Sequence, residues 1–396
     1  MNFTETTHKV TKLLSKTEKK QFGFFVTPPE IIHRVLTSIQ PLIKIENPHI
    51  LEPSCGTCEF ILATAKKFPQ ASFDGVELND TVYDNIKDLA TRLEKTTIHH
   101  MNFMEYNKPE TYDLVIGNPP YFVCHKEDIP VRYHSFMGGR PNMFGAFICH
   151  SLSLLKTGGI LAFVIPKSFM NASYYGTIRK HIIDTCSVVD IIDCEDCSND
   201  FLDTQQTTFI MVVQKGDSSN CHKEKFVVGL GDLMIFTHSA STLLRLLAGS
   251  TTLKAMGYSV RTGSVVWNEH KAKLSADSSK TLLIYNTNVV SNQLEVKTFA
   301  NEEKKQFIDL PGSMTSCLVV NRGNGNSVYK MSYALIPAGR EYLVENHLNM
   351  ITHPSGDYSA IIKSFSDPRT QQFIDCVLGN GALSKTELET VFPIFI

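Results

Sequence analysis

Several features that would take a chain out of a cell or into a membrane are missing from these 396 residues. No uninterrupted apolar stretch approaches the roughly 18 residues that a membrane-spanning helix needs. The stretch from Met1 to Lys20 is polar and lacks the apolar centre of a secretion signal. Positive charge is not in excess either, since 38 Lys and Arg stand against 40 Asp and Glu. The sequence therefore predicts an intracellular protein with no membrane partner, and any surface for a polyanion has to be local.

The ten Cys are too thinly spread for the disulfide framework of a small secreted domain. Two pairs have the Cys-x-x-Cys spacing that zinc sites use, Cys55 with Cys58 and Cys194 with Cys197. The first pair falls in a candidate cofactor turn, and the two pairs lie on different predicted strands. We therefore expect free thiols and no metal.

From about residue 48 onwards, short apolar runs alternate with helical patterns, which is typical of βαβ units. The predicted fold class is α/β, with a doubly wound, Rossmann-like, largely parallel sheet. The predicted strands are His49–Leu51, Ser72–Val76, Asp113–Ile116, Ile160–Ile165, Val188–Cys194 and Thr207–Gln214. The predicted helices are Glu59–Phe68, Asp80–Leu93, Asn142–Leu155 and Ser173–Asp184.

A polar, turn-prone run at residues 215–220 ends this alternation and predicts a boundary between a domain of residues 1–220 and one of residues 221–396. In the second part, polar turns separate short apolar runs without a βαβ rhythm. These runs are Phe226–Leu230, Thr281–Tyr285, Ser316–Val320 and Ser332–Ile336. A strand-rich, mixed α+β second domain is expected.

A turn of small residues, with Ser54 and Gly56, follows Glu52 at the end of the first predicted strand. Ligands of doubly wound sheets bind outside the carboxyl ends of the strands, so this turn could bring backbone N–H groups to a cofactor. One Gly, and no Gly-Lys-Ser/Thr, disfavours a pyrophosphate or triphosphate ligand. Glu77 ends the next strand, where such folds hold a ribose. The pattern suits S-adenosylmethionine, a nucleoside without phosphates; the alternative is an ordinary turn with a surface Glu.

Asn118, Pro119, Pro120 and Tyr121 directly follow the third predicted strand. Two prolines cannot continue a central strand, and they fix φ, so the carbonyl groups here are rigidly aimed. The exocyclic amino group of a purine is a poor nucleophile because its lone pair is delocalised. The Asn118 side-chain oxygen and the Pro119 carbonyl could hold both of its N–H bonds and aim the nitrogen at a sulfonium methyl group. Tyr121 offers a flat face to a base taken out of a duplex; the alternative is a proline-rich turn with a packed tyrosine.

With these motifs the chain resembles the gamma-type, amino-group adenine-N6 DNA methyltransferases of restriction and modification systems. In that family a Thr-Pro motif, a Gly turn, an Asn-Pro-Pro-Tyr motif and a target-recognition domain follow one another. Thr27-Pro28, Glu52–Phe60 and Asn118–Tyr121 match the first three in that order, and the resemblance covers residues 22–214. It implies site-specific methylation of adenine N6 in double-stranded DNA by base flipping, with S-adenosylmethionine as cofactor and residues 221–396 as the target-recognition domain.

The same resemblance implies partners and a setting for the chain. The motifs begin by residue 22 and leave no room for an amino-terminal nuclease domain, so a cognate restriction endonuclease would be a separate protein. A monomer in the cytoplasm or on the nucleoid is expected. Whether the source is bacterial or viral does not follow from the sequence.

Residue roles around the polar part of the cofactor also follow from the resemblance. Thr27 and Pro28 would line its methionine end, while Glu52 would meet its amino group and Glu77 its ribose hydroxyls. Asn102 stands where the family has Asp. Its amide oxygen can still accept a hydrogen bond from the cofactor, but without a charge, so somewhat weaker cofactor binding is implied.

Apolar and aromatic roles are implied as well. Leu78, Phe103 and Phe147 would border the adenine ring of the cofactor. Phe201 would be the second stacking face for the flipped target base, opposite Tyr121.

Two loops carry side chains suited to DNA. The predicted contact residues are Lys126, Arg132, Arg140, Arg261, Asn321 and Arg322; of these, Arg261 lies outside both loops, near the start of the second domain. The first three lie in the basic, aromatic loop after Tyr121 and could meet phosphates. Asn321 and Arg322 lie on a Gly-rich turn and have the donors that read purine edges. The alternatives are a solvated loop and a polar hairpin tip.

Three other functions compete with DNA methylation. A methyltransferase of glutamine side chains in release factors could use the same Asn-Pro-Pro-Tyr geometry, but a small protein substrate does not call for about 176 residues of carboxy-terminal reader. An RNA base is another candidate substrate. A catalytically silent DNA-binding subunit is the third, and the complete motif argues against it.

Overall fold

The computed structural model describes residues 3–139, 141–194, 207–216, 223–231, 233–323, 329–378 and 381–396. The chain divides into two compact units. The first consists of Met1–Gly229 and Met234–Ser241, and the second of Leu230–Leu233 and Thr242–Ile396.

A single sheet organises the first unit. Its described strands are β1 (His49–Glu52), β2 (Ser72–Glu77), β3 (Thr96–His100), β4 (Tyr112–Gly117), β5 (Leu155–Pro166), β6 (Cys186–Asp193) and β7 (Thr208–Lys215). They are ordered β3-β2-β1-β4-β5-β7-β6. Neighbours from β3 to β5 pair in parallel, and β7 is antiparallel to both β5 and β6. The strand order reverses between β1 and β4, the point at which such sheets bind ligands.

Helices cover both faces of this sheet. They are α1 (Glu5–Leu13), α2 (Lys16–Phe22), α3 (Pro29–Ile39), α4 (Glu59–Lys67), α5 (Asp80–Ile86), α6 (Leu89–Arg92), α7 (Met143–Leu154), α8 (Gly176–Thr185) and α9 (Lys223–Phe226). Along β5, alternate side chains enter two cores. Phe163 packs with α7 and α8, whereas Val164 packs with α1, α3, α4 and α5. Burial on both faces explains why β5 reads as a continuous apolar run.

The chain passes to the second unit through β8 (Val227–Leu230), β9 (Leu233–Phe236) and α10 (Ala240–Leu247). One four-stranded sheet there contains β11 (Ser259–Thr262), β20 (Leu348–Thr352), β17 (Cys317–Asn321) and β18 (Tyr333–Ile336), in this order. Another contains β12 (Leu274–Ser275), β16 (Phe307–Ile308), β13 (Thr281–Ile284) and β19 (Tyr342–Val344). The short pairs are β10 (Ser250–Thr252) with β21 (Pro393–Phe395), and β14 (Val289–Val290) with β15 (Gln293–Leu294). Three helices follow, α11 (Ser359–Phe365), α12 (Pro368–Val377) and α13 (Lys385–Thr390).

The predicted α/β class and the strand-rich second part are confirmed, with corrections to particular elements. The sequence prediction missed β3, whose alternating burial suits an edge strand of mixed composition. The helix predicted over Asp80–Leu93 is two helices, α5 and α6. The prediction also left out α1, α2 and α3. The apolar residues of α1 and α3 pack in a core whose other members come from distant parts of the chain.

Two further findings concern membrane helices and cysteines. Within the described residues, no helix is long and apolar enough to cross a membrane. Cys55 and Cys58 are buried, free thiols. Cys194 is buried as well, and Cys197 lies outside the described residues.

Candidate active site

A cavity opens outside the carboxyl ends of β1, β2, β3 and β4 and contains about 1040 Å³ of space, part of it open to solvent. Four loops line it, one after each strand, together with a wall from the amino-terminal segment. The lining residues are Leu14, Glu18, Phe22–Thr27, Glu52–Thr57, Glu59, Phe60, Val76–Asn79, Met101–Phe103, Asn118, Pro120, Phe122, Met143 and Phe147. The cavity therefore lies at the reversal of strand order.

The turn after β1 and the acid after β2 are joined by a hydrogen bond. Gly56 has a φ of +49°, a conformation that favours glycine. Its N–H donates to Glu77 Oε2 at 2.9 Å, and the N–H of Asn79 donates to Glu77 Oε1 at 2.8 Å. Burial raises the pKa of Glu77, and these N–H donors oppose that rise. The carboxyl group is thus fixed in the cavity wall, with lone pairs left for hydroxyl groups of a ligand.

Glu52 is the second buried acid of the cavity. It is 3% exposed, and its Oε2 accepts from the N–H of Ile61 at 3.1 Å. Burial raises the pKa of Glu52 well above its usual range. An ammonium group entering the cavity beside it would find a matching acceptor. Thr27, also buried, lines the same cavity.

Aromatic and apolar side chains form another part of the cavity wall. The rings of Phe103 and Phe147 lie 4.7 Å apart between centroids and tilt by 41°. Leu78 is 52% exposed and lines the same cavity. Asn102 Oδ1 accepts from the N–H of Met104 at 3.0 Å, so this oxygen already has one partner.

These residues fit S-adenosylmethionine in its several parts. Two buried carboxyl groups would repel a phosphate chain but suit an amino group and a diol. The Phe103 and Phe147 rings and Leu78 suit a purine. When bound, this cofactor supplies an electrophilic methyl group on a sulfonium.

The predicted catalytic motif begins at Asn118, directly after β4, and the Asn118 side chain is held at both ends. Its Nδ2 donates to the Phe25 carbonyl oxygen at 3.1 Å, and its Oδ1 accepts from the Tyr121 hydroxyl. Ser54 Oγ donates to the Asn118 carbonyl oxygen at 3.2 Å. The contact with Phe25 determines which end of the amide is the acceptor, and Oδ1 keeps a second lone pair.

The Tyr121 ring packs against the core of the first unit. It packs edge-on to Phe144, with centroids 6.0 Å apart and planes at 87°, and it is not among the lining residues. Its hydroxyl also lies 2.6 Å from the Val164 carbonyl oxygen, and burial raises the pKa of Tyr121.

Most predicted cofactor residues meet in this cavity. Those lining it are Thr27, Glu52, Ser54, Gly56, Glu77, Leu78, Asn102, Phe103, Asn118 and Phe147. Pro28 precedes α3 as its N-cap, and neither it nor Pro119 is a lining residue. Phe201 and Arg140 lie outside the described residues.

The predicted DNA-contact residues lie in different surroundings. Lys126 and Arg132 are exposed, and the Arg132 guanidinium lies 4.9 Å from the centroid of the Tyr133 ring. Arg261 is exposed on β11.

Asn321 requires a correction. It is fully buried, its Nδ2 donates to the Lys330 carbonyl oxygen, and its Oδ1 accepts from Tyr329 and Ser332. With its amide used inside the unit, Asn321 does not present donors to a base edge. The neighbouring Arg322 donates through Nη1 to the Asn346 carbonyl oxygen at 2.9 Å.

Sequence reasoning missed the amino-terminal wall. Leu14, Glu18, Phe22 and Phe24 line the cavity, yet α1 and α2 carry no cofactor motif. The one available signal was Gly23, just before the Thr-Pro motif. Its φ is +62°, and a Cβ there would lie 2.8 Å from the Cβ of Pro120. The segment therefore packs closely on the loop after β4.

The sheet, with β7 reversed, and a cavity suited to a nucleoside with an amino acid tail define a Rossmann-like methyltransferase that depends on S-adenosylmethionine. The comparisons with known proteins then give the family. Residues 10–200 match the family model of the Eco57I restriction-modification methylase.

Relatives extend the similarity into the second unit. The chain is 28% identical over 393 residues to the Type II methyltransferase M.CvrRI of Paramecium bursaria Chlorella virus XZ-6E, which covers 97% of both chains. It is 25% identical to the modification methylase CviBIII of Paramecium bursaria Chlorella virus NC1A, over 99% of each chain. The Type II methyltransferase M.AccI of Acinetobacter calcoaceticus is 22% identical over 75% of this chain and 56% of its own. Among solved structures, the M protein of the Type I restriction enzyme EcoKI is similar, with 19% identity, a TM-score of 0.40, and coverage of 49% of this chain and 44% of that one.

Proposed function

We propose that this chain is a site-specific DNA methyltransferase that transfers a methyl group from S-adenosylmethionine to the N6 amino group of adenine, flipped out of duplex DNA. The observation that carries the proposal is the Asn118 amide, which is fixed beside the cofactor cavity with an oxygen lone pair to spare. The full-length relatives named Type II methyltransferase and modification methylase support a DNA substrate.

Each group of the motif has a task in this proposal. Asn118 Oδ1 and the Pro119 carbonyl accept the two N–H bonds of the target amino group and raise the electron density on its nitrogen. The hydrogen bond from Asn118 Nδ2 to the Phe25 carbonyl oxygen fixes the Asn118 side chain relative to the wall of the cofactor cavity. The target nitrogen is therefore already oriented for attack when it binds to Asn118 Oδ1. A strong general base is not required before attack, because the proton leaves after transfer, when the nitrogen is cationic.

Tyr121 and Phe201 are proposed to stack on the flipped base. For Tyr121 this means exchanging its hydroxyl bond with Asn118 for a face against the base. The exchange also frees the lone pair of Asn118 Oδ1 that the hydroxyl occupies, in addition to the one already open to the target amino group.

The proposed division of labour assigns methyl transfer to residues 1–220 and DNA recognition to residues 221–396. Exposed Arg261 on β11, with Lys126 and Arg132 in the first unit, is proposed to contact DNA. Action as a monomer and a separate cognate endonuclease complete the proposal.

Labelled methyl transfer to unmethylated duplex DNA, structured RNA and a release-factor protein tests this function, with nucleoside analysis of the product. We expect N6-methyladenine in DNA alone. N4-methylcytosine would refute the choice of adenine, and label on the protein or RNA would refute DNA as substrate. Binding of cofactor and DNA with no transfer would make the chain a silent subunit.

A further inference from the structure

A cluster of threonines fastens the amino-terminal helix α1 to the start of α4. Glu59 Oε1 accepts three hydrogen bonds, from the Thr4 N–H at 2.9 Å, the Thr4 hydroxyl at 2.8 Å and the Thr7 hydroxyl at 2.5 Å. Thr57 Oγ1 lies 2.7 Å from Thr7 Oγ1. Because the single Thr7 hydroxyl proton goes to the carboxyl oxygen, Thr57 must donate to Thr7.

This threonine–glutamate cluster (Thr4, Thr7, Thr57 and Glu59) adjoins the cofactor cavity. Thr57 and Glu59 line the cavity, whereas Thr4 and Thr7 stand behind them. Thr7 is fully buried and Thr57 is 4% exposed, so loss of a single hydroxyl would leave a buried partner unpaired.

The opposite end of the amino-terminal segment is fastened to the catalytic loop. The Phe25 carbonyl oxygen accepts from Asn118 Nδ2, and Gly23 packs against Pro120. Residues 3–27 thus form an amino-terminal strap, attached at one end to the turn after β1 and at the other to the catalytic motif. Between the two attachments, Leu14, Glu18 and Phe22 line the cavity.

We propose that Thr7 and Glu59 are positioning residues for the cofactor, which hold the amino-terminal strap closed along the cavity and thereby set how tightly and how long S-adenosylmethionine is bound. Neither residue needs to touch the transferred methyl group. When a fastening bond is lost, a larger fraction of molecules has the strap open, and the apparent Kd rises by the factor by which the closed fraction falls. The inference rests on the cofactor cavity alone and not on the identity of the methyl acceptor.

Thr7 offers a matched pair of variants. Thr7→Val removes the hydroxyl and keeps the side-chain volume, whereas Thr7→Ser keeps the hydroxyl. Calorimetric titration with S-adenosylmethionine in the absence of DNA gives Kd, and rapid mixing with excess competitor gives the release rate. We expect Thr7→Val to weaken binding about tenfold, mainly through faster release, and Thr7→Ser to stay within about twofold of the parent.

A double-mutant cycle with Glu59→Gln locates the effect. If Thr7 acts through Glu59, Thr7→Val should weaken binding much less in the Glu59→Gln background than in the parent. The KM for cofactor should rise in Thr7→Val while kcat at saturating cofactor changes less than about twofold.

The proposal would be overturned if Thr7→Val had the Kd and release rate of the parent. It would also be overturned if kcat and cofactor affinity fell by the same factor in Thr7→Val and in Thr7→Ser. Should Thr7→Val fail to fold by circular dichroism, Thr4→Ala against Thr4→Ser gives the same comparison at a half-buried position. Because no DNA is present in the binding experiment, its failure leaves the proposed adenine methylation untouched.

Discussion

The hydrogen bonds of the Asn118 side chain predict two effects of one substitution, Asn118→Ala: slower methyl transfer and weaker cofactor binding. Its Oδ1 is the proposed acceptor of the target amino group, and its Nδ2 holds the Phe25 carbonyl oxygen in the cofactor wall. Asn118→Ala removes both. Loss of one hydrogen bond that acts in the transition state costs on the order of 10² or more in rate. Loss of the neutral bond to Phe25 costs about 1 kcal/mol, or roughly fivefold in cofactor affinity.

Single-turnover transfer measures the first effect without interference from the second. Enzyme saturated with labelled S-adenosylmethionine is mixed with duplex DNA and quenched at intervals, and titration of cofactor alone gives Kd. Tyr121→Phe is the matched control, because it removes the other partner of Asn118 Oδ1 but keeps the ring for stacking. We expect its rate to fall by less than about tenfold.

A rate for Asn118→Ala within about tenfold of the parent would refute the reasoning, since the acceptor oxygen would then contribute little. A loss of cofactor binding as large as the loss of rate would also count against it. That result would mean that Asn118 serves mainly to build the cavity wall.

Three further predictions concern stability and DNA binding. Asp74→Asn should destabilise the first unit by about 3 kcal/mol in urea unfolding, because the buried Asp74 carboxyl group accepts from His49, His99, Tyr106, Tyr112 and Lys108. Burial opposes but does not outweigh these partners, which hold the pKa of Asp74 well below its usual range near 3.9. The stabilisation by Asp74 is therefore complete above about pH 4 and declines as pH falls below that value. If the stability of Asp74→Asn depends on pH as steeply as that of the parent, this reasoning is contradicted. Gly23→Ala should lower melting temperature and cofactor affinity much more than Gly139→Ala, because both glycines have φ near +60° but only Gly23 faces a close contact; equal effects would exclude that contact as the cause. Arg261→Ala should weaken DNA binding and reduce its salt dependence by the amount expected for the loss of about one phosphate contact, whereas Asn321→Ala should lower the melting temperature. An unchanged salt dependence in Arg261→Ala would show that Arg261 does not contact DNA phosphate.

The sequence predicts the central sheet well because its strands carry their own signals. β1, β2, β4 and β5 are apolar runs ended by Gly, Pro or an acid, and these endings place the cofactor and catalytic loops at one edge. Glu52, Glu77 and Asn118 could be assigned to one cavity for that reason: each follows or ends a strand of a parallel sheet. The strand β3 has no such run, and it was missed.

The amino-terminal wall could not be predicted in the same way. Glu59 is bonded to Thr4 and Thr7, which lie 55 and 52 residues before it. No local pattern links residues so far apart, and threonines near a chain start have many other uses. The sequence does show Gly23, but the reason for a glycine at this position, its close contact with Pro120, is visible only in the structure.

Asn321 and Tyr121 show the limit of assigning a role by residue type. An Asn on a Gly-rich turn has the donors to read adenine, yet the Asn321 amide is spent on Lys330, Tyr329 and Ser332 in the core of the second unit. Tyr121 has a flat ring, yet its hydroxyl donates to Asn118 Oδ1, the proposed acceptor of the target amino group. Hydrogen bonding inside the protein competes with hydrogen bonding to a substrate, and sequence alone does not decide between them. For Asn321 the hydrogen bonds inside the protein are favoured, because the buried amide would lose all of these partners if it became exposed. For Tyr121 the proposed function makes the substrate the winner: the incoming base would replace the hydroxyl on Asn118, and the ring would regain apolar contact by stacking.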